Sequence, residues 1–173
     1  MSRRLITLMC LASLFLLAGT ASADLVGHWP FDEGSGNVAG DVTGIIGSGT
    51  FTGDVSWAAG ISKGALELDG DGDYVTFPNN DQSQLRSTGS FTVAAWVRVD
   101  KTDNGVILMV GEGCSTWASW YLGVGGGEPD APRDEGNLVF ATRAAGGSAY
   151  DGVATPLVPD VWVHVAATAN GDP

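Results

Sequence analysis

Phe91-Thr92-Val93-Ala94-Ala95-Trp96-Val97-Arg98-Val99 and Val161-Trp162-Val163-His164-Val165-Ala166-Ala167-Thr168 are the two stretches that decide the fold. In an extended chain successive side chains point to opposite faces, so each stretch divides cleanly by parity. Phe91, Val93, Ala95, Val97 and Val99 share one face of the first, and Val161, Val163, Val165 and Ala167 share one face of the second. Both faces are wholly apolar and belong in a core. Opposite them lie Thr92, Ala94, Trp96 and Arg98, and Trp162, His164, Ala166 and Thr168. Two strands therefore carry the same aromatic-then-cationic pair, Trp96 with Arg98 and Trp162 with His164, on their outer faces.

Working outward, no stretch after Leu25 holds a helical period for three turns, whereas short apolar or alternating runs recur between Gly, Asp, Asn and Pro clusters. Strands are expected at 25–31, 49–55, 65–68, 74–77, 90–100, 105–110, 120–124, 137–143, 153–157 and 161–168, with 79–87 a candidate helical turn. Ten short strands with glycine-rich turns predict an all-β fold, a two-sheet antiparallel jelly-roll sandwich. Roughly 150 residues suffice for one such domain. With no repeat or linker to divide it, the domain is drawn over 24–173, with glycine-rich rim loops at 34–49 and 125–136. Strand 161–168 runs into Asn170-Gly171, a strong hairpin signal, so a return strand is expected beyond the sequence in hand and the last strands of the sandwich are read as missing.

Residues 1–23 read as a secretory signal peptide. Arg3 and Arg4 precede an apolar run from Leu8 to Ala18, which ends before the small-residue exit Ala21-Ser22-Ala23. The run is shorter than the roughly twenty residues a membrane span needs, so no membrane insertion is expected after cleavage. Cys10 is lost with this segment, leaving Cys114 alone, and a lone thiol excludes an internal disulfide framework. The formal charge is −12, and cleavage removes two cations but no acid. Such a surface repels nucleic acid and anionic membrane, and makes neutral glycans or basic protein surfaces better partners than sulfated chains.

Four segments, in order, resemble the laminin-G-like members of the concanavalin A-like lectin/glucanase superfamily. They are Gly27-His28-Trp29-Pro30-Phe31-Asp32-Glu33-Gly34-Ser35-Gly36, then Gly64-Ala65-Leu66-Glu67-Leu68-Asp69-Gly70 with Gly72-Asp73-Tyr74-Val75, then Phe91-Thr92-Val93-Ala94-Ala95-Trp96-Val97, and Trp162-Val163-His164-Val165-Ala166. The resemblance implies a jelly roll of one convex and one concave sheet serving carbohydrate or protein recognition, as modules of large secreted proteins. It also implies further strands after 161–168.

The glucanases of that superfamily place Glu-x-Asp-x-(x)-Glu on one strand, so that a nucleophile, a helper and an acid share a face. Glu67-Leu68-Asp69-Gly70-Asp71 begins that way but lacks the second glutamate, and a non-catalytic protein is expected. Asp69, Asp71 and Asp73 alternate with glycine and gather three hard oxygen donors in one loop, which makes them candidate calcium ligands as well as an ordinary solvated turn. Related modules hold calcium at a rim. Asp32 and Glu33 are a weaker candidate pair.

For a ligand, Trp96 and Trp162 form a stacking platform if both strands share a sheet, with Arg98 and His164 as hydrogen-bond donors. The alternative is that the tryptophans fill the sandwich and Arg98 snorkels outward. Trp117, Trp120 and Tyr121 read as a second aromatic group at a loop rim. The expectation is a secreted or cell-surface recognition module that binds carbohydrate, with protein–protein adhesion as the alternative and a glycoside hydrolase a distant third.

Overall fold

Alternation along 91–99 becomes strand β6 of the computed structural model, which describes residues 24–78, 89–100, 105–110, 119–125, 136–143 and 151–170. Among these the strands are β1 (Val38–Ala39), β2 (Gly49–Thr52), β3 (Ser56–Ala59), β4 (Gly64–Glu67), β5 (Tyr74–Thr76), β6 (Phe91–Val97), β7 (Gly105–Val110), β8 (Ser119–Val124), β9 (Asn137–Arg143), β10 (Asp151–Pro156) and β11 (Val163–Ala169). No helix occurs among the described residues, and none is long and apolar enough to cross a membrane. Every strand pair is antiparallel. The expected signal peptide, the helical turn at 79–87, most of the 125–136 loop, Cys114 and Trp117 lie outside the described residues.

β6 pairs with β11 in full register, from Val97 opposite Val163 to Phe91 opposite Ala169. The apolar parities of both strands consequently fall on one side. They pack against the sheet β10-β9-β8-β7, whose facing residues Trp120, Leu122, Val124, Leu138 and Phe140 are buried. Phe91 bridges the layers, its ring 5.3 Å from Trp120 and 6.1 Å from Phe140. Each such side chain withdrawn from water contributes about 1.5–3 kcal/mol, and this two-layer contact is the sandwich core.

The sheet also buries part of its second face. Tyr121, Val139 and Ala141 are fully covered there. Tyr121 folds back over Gly123, and its hydroxyl donates to the Gly105 carbonyl at 3.1 Å. A Cβ at Gly123 would collide with that hydroxyl, so only glycine fits. Trp120 and Tyr121 are thus interior residues of β8 on opposite faces, which corrects the loop-rim reading: the glycines around them suggested a turn, but burial decided otherwise. β10 is exposed along its whole length and ends in Pro156, as suits an edge strand.

The N-terminal part adds a sheet β1-β2-β5 and a hairpin β3-β4. Here the expected strand at 25–31 is absent. Pro30 lacks an N–H and Phe31 adopts a positive φ of 58°, so the segment cannot continue a ladder. Its polar groups are satisfied otherwise. Asp41 accepts hydrogen bonds from the backbone N–H groups of His28 (3.0 Å), Thr43 (2.9 Å), Ile46 (3.1 Å) and Gly47 (3.0 Å), and from the Thr43 hydroxyl (2.8 Å). Trp29 Nε1 donates to the Gly47 carbonyl at 3.0 Å while its ring lies 4.4 Å from Phe77. Strands β1 and β3 were not expected from the sequence. β1 is two residues inside a glycine-rich loop, and the expected strand 49–55 breaks at Gly53, whose φ of 87° ends β2 and starts the turn into β3.

Two expectations follow. Leu122→Ala opens a cavity in the fully buried centre of β8, and lowers unfolding free energy by about 2–5 kcal/mol in urea titrations without loss of the two-state transition. Burial alone would raise the Asp41 carboxyl, but the hydrogen bonds from Gly47, His28 and Thr43 outweigh it and hold the group well below the usual carboxylate range. The folded state therefore favours the ionised form, and this stabilisation is complete above the unfolded carboxyl's titration and fades as pH falls below about 4. Thermal melts between pH 7 and pH 2 should show that decline, and Asp41→Asn should lower Tm at pH 7 and flatten the acid limb.

Candidate functional site

The register that buries Val97 against Val163 also sets His164 directly opposite Trp96 on the outer face. Their rings meet edge to face with centroids 5.2 Å apart. One residue pair further along, the Arg98 guanidinium lies 5.5 Å from the centroid of the Trp162 ring, a cation–π contact. At the other end of the face the hydroxyls of Thr92 and Thr168 hydrogen-bond at 2.9 Å. Ala94 and Ala166 lie opposite each other between these groups. All four residues selected from the sequence, Trp96, Arg98, Trp162 and His164, are brought together on one face of one pair of strands.

Trp96 is 51% exposed, so it does not fill the sandwich. Trp162 is half-buried, covered in part by Arg98. The face presents the exposed Trp96 indole with His164 edge to face against it, two small alanines beside them and donors at its margin, which is chemically suited to a ring that is apolar on its faces and polar at its rim. Its electrostatics differ from those of the rest of the chain. Among the described residues, Lys63 is paired with Asp32 at 3.0 Å, Arg143 is buried, and Arg98 has no carboxylate partner. Lys63, donating to Asp32, and the Gly64 N–H together hold the Asp32 carboxyl below its ordinary range.

The aspartate loop is arranged differently from the sequence expectation. Oxygens of Asp54, Asp69 and Asp73 lie within 4.8 Å of one another, and Asp71 is not in that group. Asp54 was not foreseen, because it reaches the loop through the β2–β3 turn: its N–H donates to Asp73 Oδ1 at 2.8 Å, and Gly53 is pressed against the same carboxylate. Asp73 Oδ2 accepts from the Asp69 N–H at 3.1 Å, and Asp69 Oδ1 from the Asp71 N–H at 2.7 Å. The Asp69 N–H bond, joined by that from Asp54, keeps the Asp73 carboxyl below its usual range despite some desolvation. Three anionic hard oxygens at this spacing fit the chemistry of calcium, while the backbone donors already account for the turn.

Two other places offer less. Glu67 stands at the last residue of β4, exposed, with Asp69 two residues beyond in the turn. A cleft of about 220 Å³ opens between β9–β10 and β11, lined by Leu138, Phe140, Val153, Ala154, Thr155, Ala166, Ala167 and Thr168, without a titratable group.

A family profile described as the concanavalin A-like lectin/glucanases superfamily matches residues 69–172, which include β5 to β11 and both candidate sites apart from Asp54. No curated protein matches the chain. Among solved structures, the chain is similar to the crystal structure of an S-layer domain-containing protein from Clostridium thermocellum, with 24% identity and a TM-score of 0.58 over 80% of this chain. The chain spans 61% of that structure's length, and the likeness concerns the fold. With its two-layer antiparallel architecture and a profile match over more than half its length, the chain belongs to the concanavalin A-like lectin/glucanases superfamily.

Proposed function

We propose that this is a secreted or cell-surface, non-catalytic recognition module that binds carbohydrate on the outer face of the β6–β11 pair. The observation that carries this reading is the clustering of Trp96, Trp162, Arg98 and His164 on one exposed face, with Trp96 half open to solvent. A pyranose stacks its C–H face on Trp96, while Arg98 and His164 donate to its hydroxyls. Membership of a superfamily that contains lectins, and a fold shared with a domain of an S-layer protein, support an extracellular recognition role. The signal-peptide reading of residues 1–23 points the same way. The non-catalytic reading is supported by Glu67 and Asp69: one ends a strand and the other lies in a hydrogen-bonded turn, whereas retaining hydrolysis needs two carboxylates facing each other across a groove.

The test is a glycan array followed by calorimetric titration with the full chain. Binding of an oligosaccharide is expected, and Trp96→Ala should weaken it about tenfold or more while leaving Tm unchanged, since the side chain is largely outside the core. Oligosaccharide binding that Trp96→Ala leaves intact, or no binding to any glycan, would move the function to protein–protein adhesion.

Calcium is a second element of the proposal, resting on Asp54, Asp69 and Asp73. A bound ion would tie the β2–β3 turn to the 69–73 loop and offset the repulsion of three carboxylates. Millimolar calcium should then raise Tm relative to chelator, and Asp73→Asn should abolish the difference. Equal melts with and without calcium would discard the metal and leave the saccharide reading intact.

A further inference from the structure

We infer that the β6–β11 face selects saccharides bearing a carboxylate, hexuronates, over neutral ones, with Arg98 as the residue that reads the charge. The inference rests on the proposed carbohydrate-binding role of this face and concerns which class of sugar it takes.

The first ground is the local charge. Of the outward positions Thr92, Ala94, Trp96, Arg98, Trp162, His164, Ala166 and Thr168, none is acidic, although the chain as a whole carries a formal charge of −12. The nearest acids along the two strands are Asp100 and Asp160. Asp100 lies about 7 Å beyond Arg98, on the side away from Trp96, and forms no ion pair with it. At physiological ionic strength charges more than about 8 Å away are largely screened. Net acidity argues for neutral ligands at long range, but among the outward positions of this face Arg98 is the one formal charge, with Asp100 and Asp160 beyond it on the side away from Trp96.

The second ground is how Arg98 is held. The guanidinium lies 5.5 Å from the Trp162 ring centroid, and this contact restrains the side chain and lowers the entropy of ordering it. Its five N–H donors form a planar fork that suits a planar two-oxygen acceptor. A carboxylate matches that fork and a neutral hydroxymethyl group does not. The third ground is spacing. Trp96 and Arg98 are two residues apart on the same strand face, about 7 Å, so a ring stacked on Trp96 brings an exocyclic carboxylate within reach of Arg98. His164, opposite Trp96, is left to the ring hydroxyls.

The experiment titrates the full chain with oligogalacturonate, oligomannuronate and oligoglucuronate, each beside its carboxyl-reduced counterpart, at low and physiological salt. At least one uronate should bind about ten- to a hundredfold more tightly than its reduced form, with a preference that shrinks as salt rises. Arg98→Gln should erase that preference, bringing the uronate down to the affinity of its reduced form. Arg98→Lys, which keeps the charge but not the fork, should restore it only in part. Equal affinity for both forms, with Trp96→Ala still weakening both, would overturn the uronate preference and leave the carbohydrate reading standing. Failure of all these sugars and of neutral glycans would overturn both. Binding of an acidic peptide such as oligoglutamate without any saccharide would overturn them in favour of a protein ligand.

Discussion

The pairing register of β6 and β11 is the constraint on which the rest depends. Because side chains alternate along a strand, a slip of one residue in either strand would turn its apolar row outward and bring Trp96 and Arg98, or Trp162 and His164, against Phe140 and Trp120. Burial of the apolar rows therefore fixes the register, and the register fixes the outer face. The candidate site costs no separate structural device: the same pairing that stabilises the sandwich places His164 across from Trp96 and Arg98 over Trp162.

Away from this pair, the chain meets its hydrogen-bond requirements by a different route. The segment before β1 makes no ladder, and one carboxylate collects four backbone N–H groups and a hydroxyl. Such an arrangement lets Asp41 act as a hub for a loop rich in glycine, where regular pairing would be entropically costly. The Asp54, Asp69 and Asp73 cluster follows the same pattern on a smaller scale, with carboxylates anchoring turns through backbone donors. In an acidic chain with few cations, N–H groups rather than lysines or arginines do much of the neutralising, and this leaves Arg98 unpaired with acid among the described residues.

The distribution of charge thus has two scales. At long range the protein is strongly acidic, which keeps polyanions at a distance and favours solubility. On the outward positions 92–98 and 162–168 of the β6–β11 face the one formal charge is the Arg98 guanidinium over Trp162. A ligand small enough to be contained by that face responds to the second scale and not the first.

Much of this was legible in the sequence. The all-β class, strands at 105–110 and 137–143, and the division of 91–99 and 161–168 into inner and outer faces follow from parity and composition, because period-two alternation is a local property that burial enforces directly. So do the four residues of the candidate face, once each strand's outer parity is read. What only the tertiary structure decided is adjacency. Nothing local says that β6 and β11, some seventy residues apart, are neighbours, that Asp54 joins Asp69 and Asp73 in place of Asp71, or that Trp120 and Tyr121 are interior on opposite faces of one strand. The segment at 25–31 has the apolar content of a strand, yet the His28 N–H goes to Asp41, the Trp29 indole N–H to the Gly47 carbonyl, and the His28 carbonyl accepts from the Val42 N–H. Sequence patterns record which side of an element is buried; which elements then meet depends on long-range packing, whose free energy is shared among residues far apart in the chain.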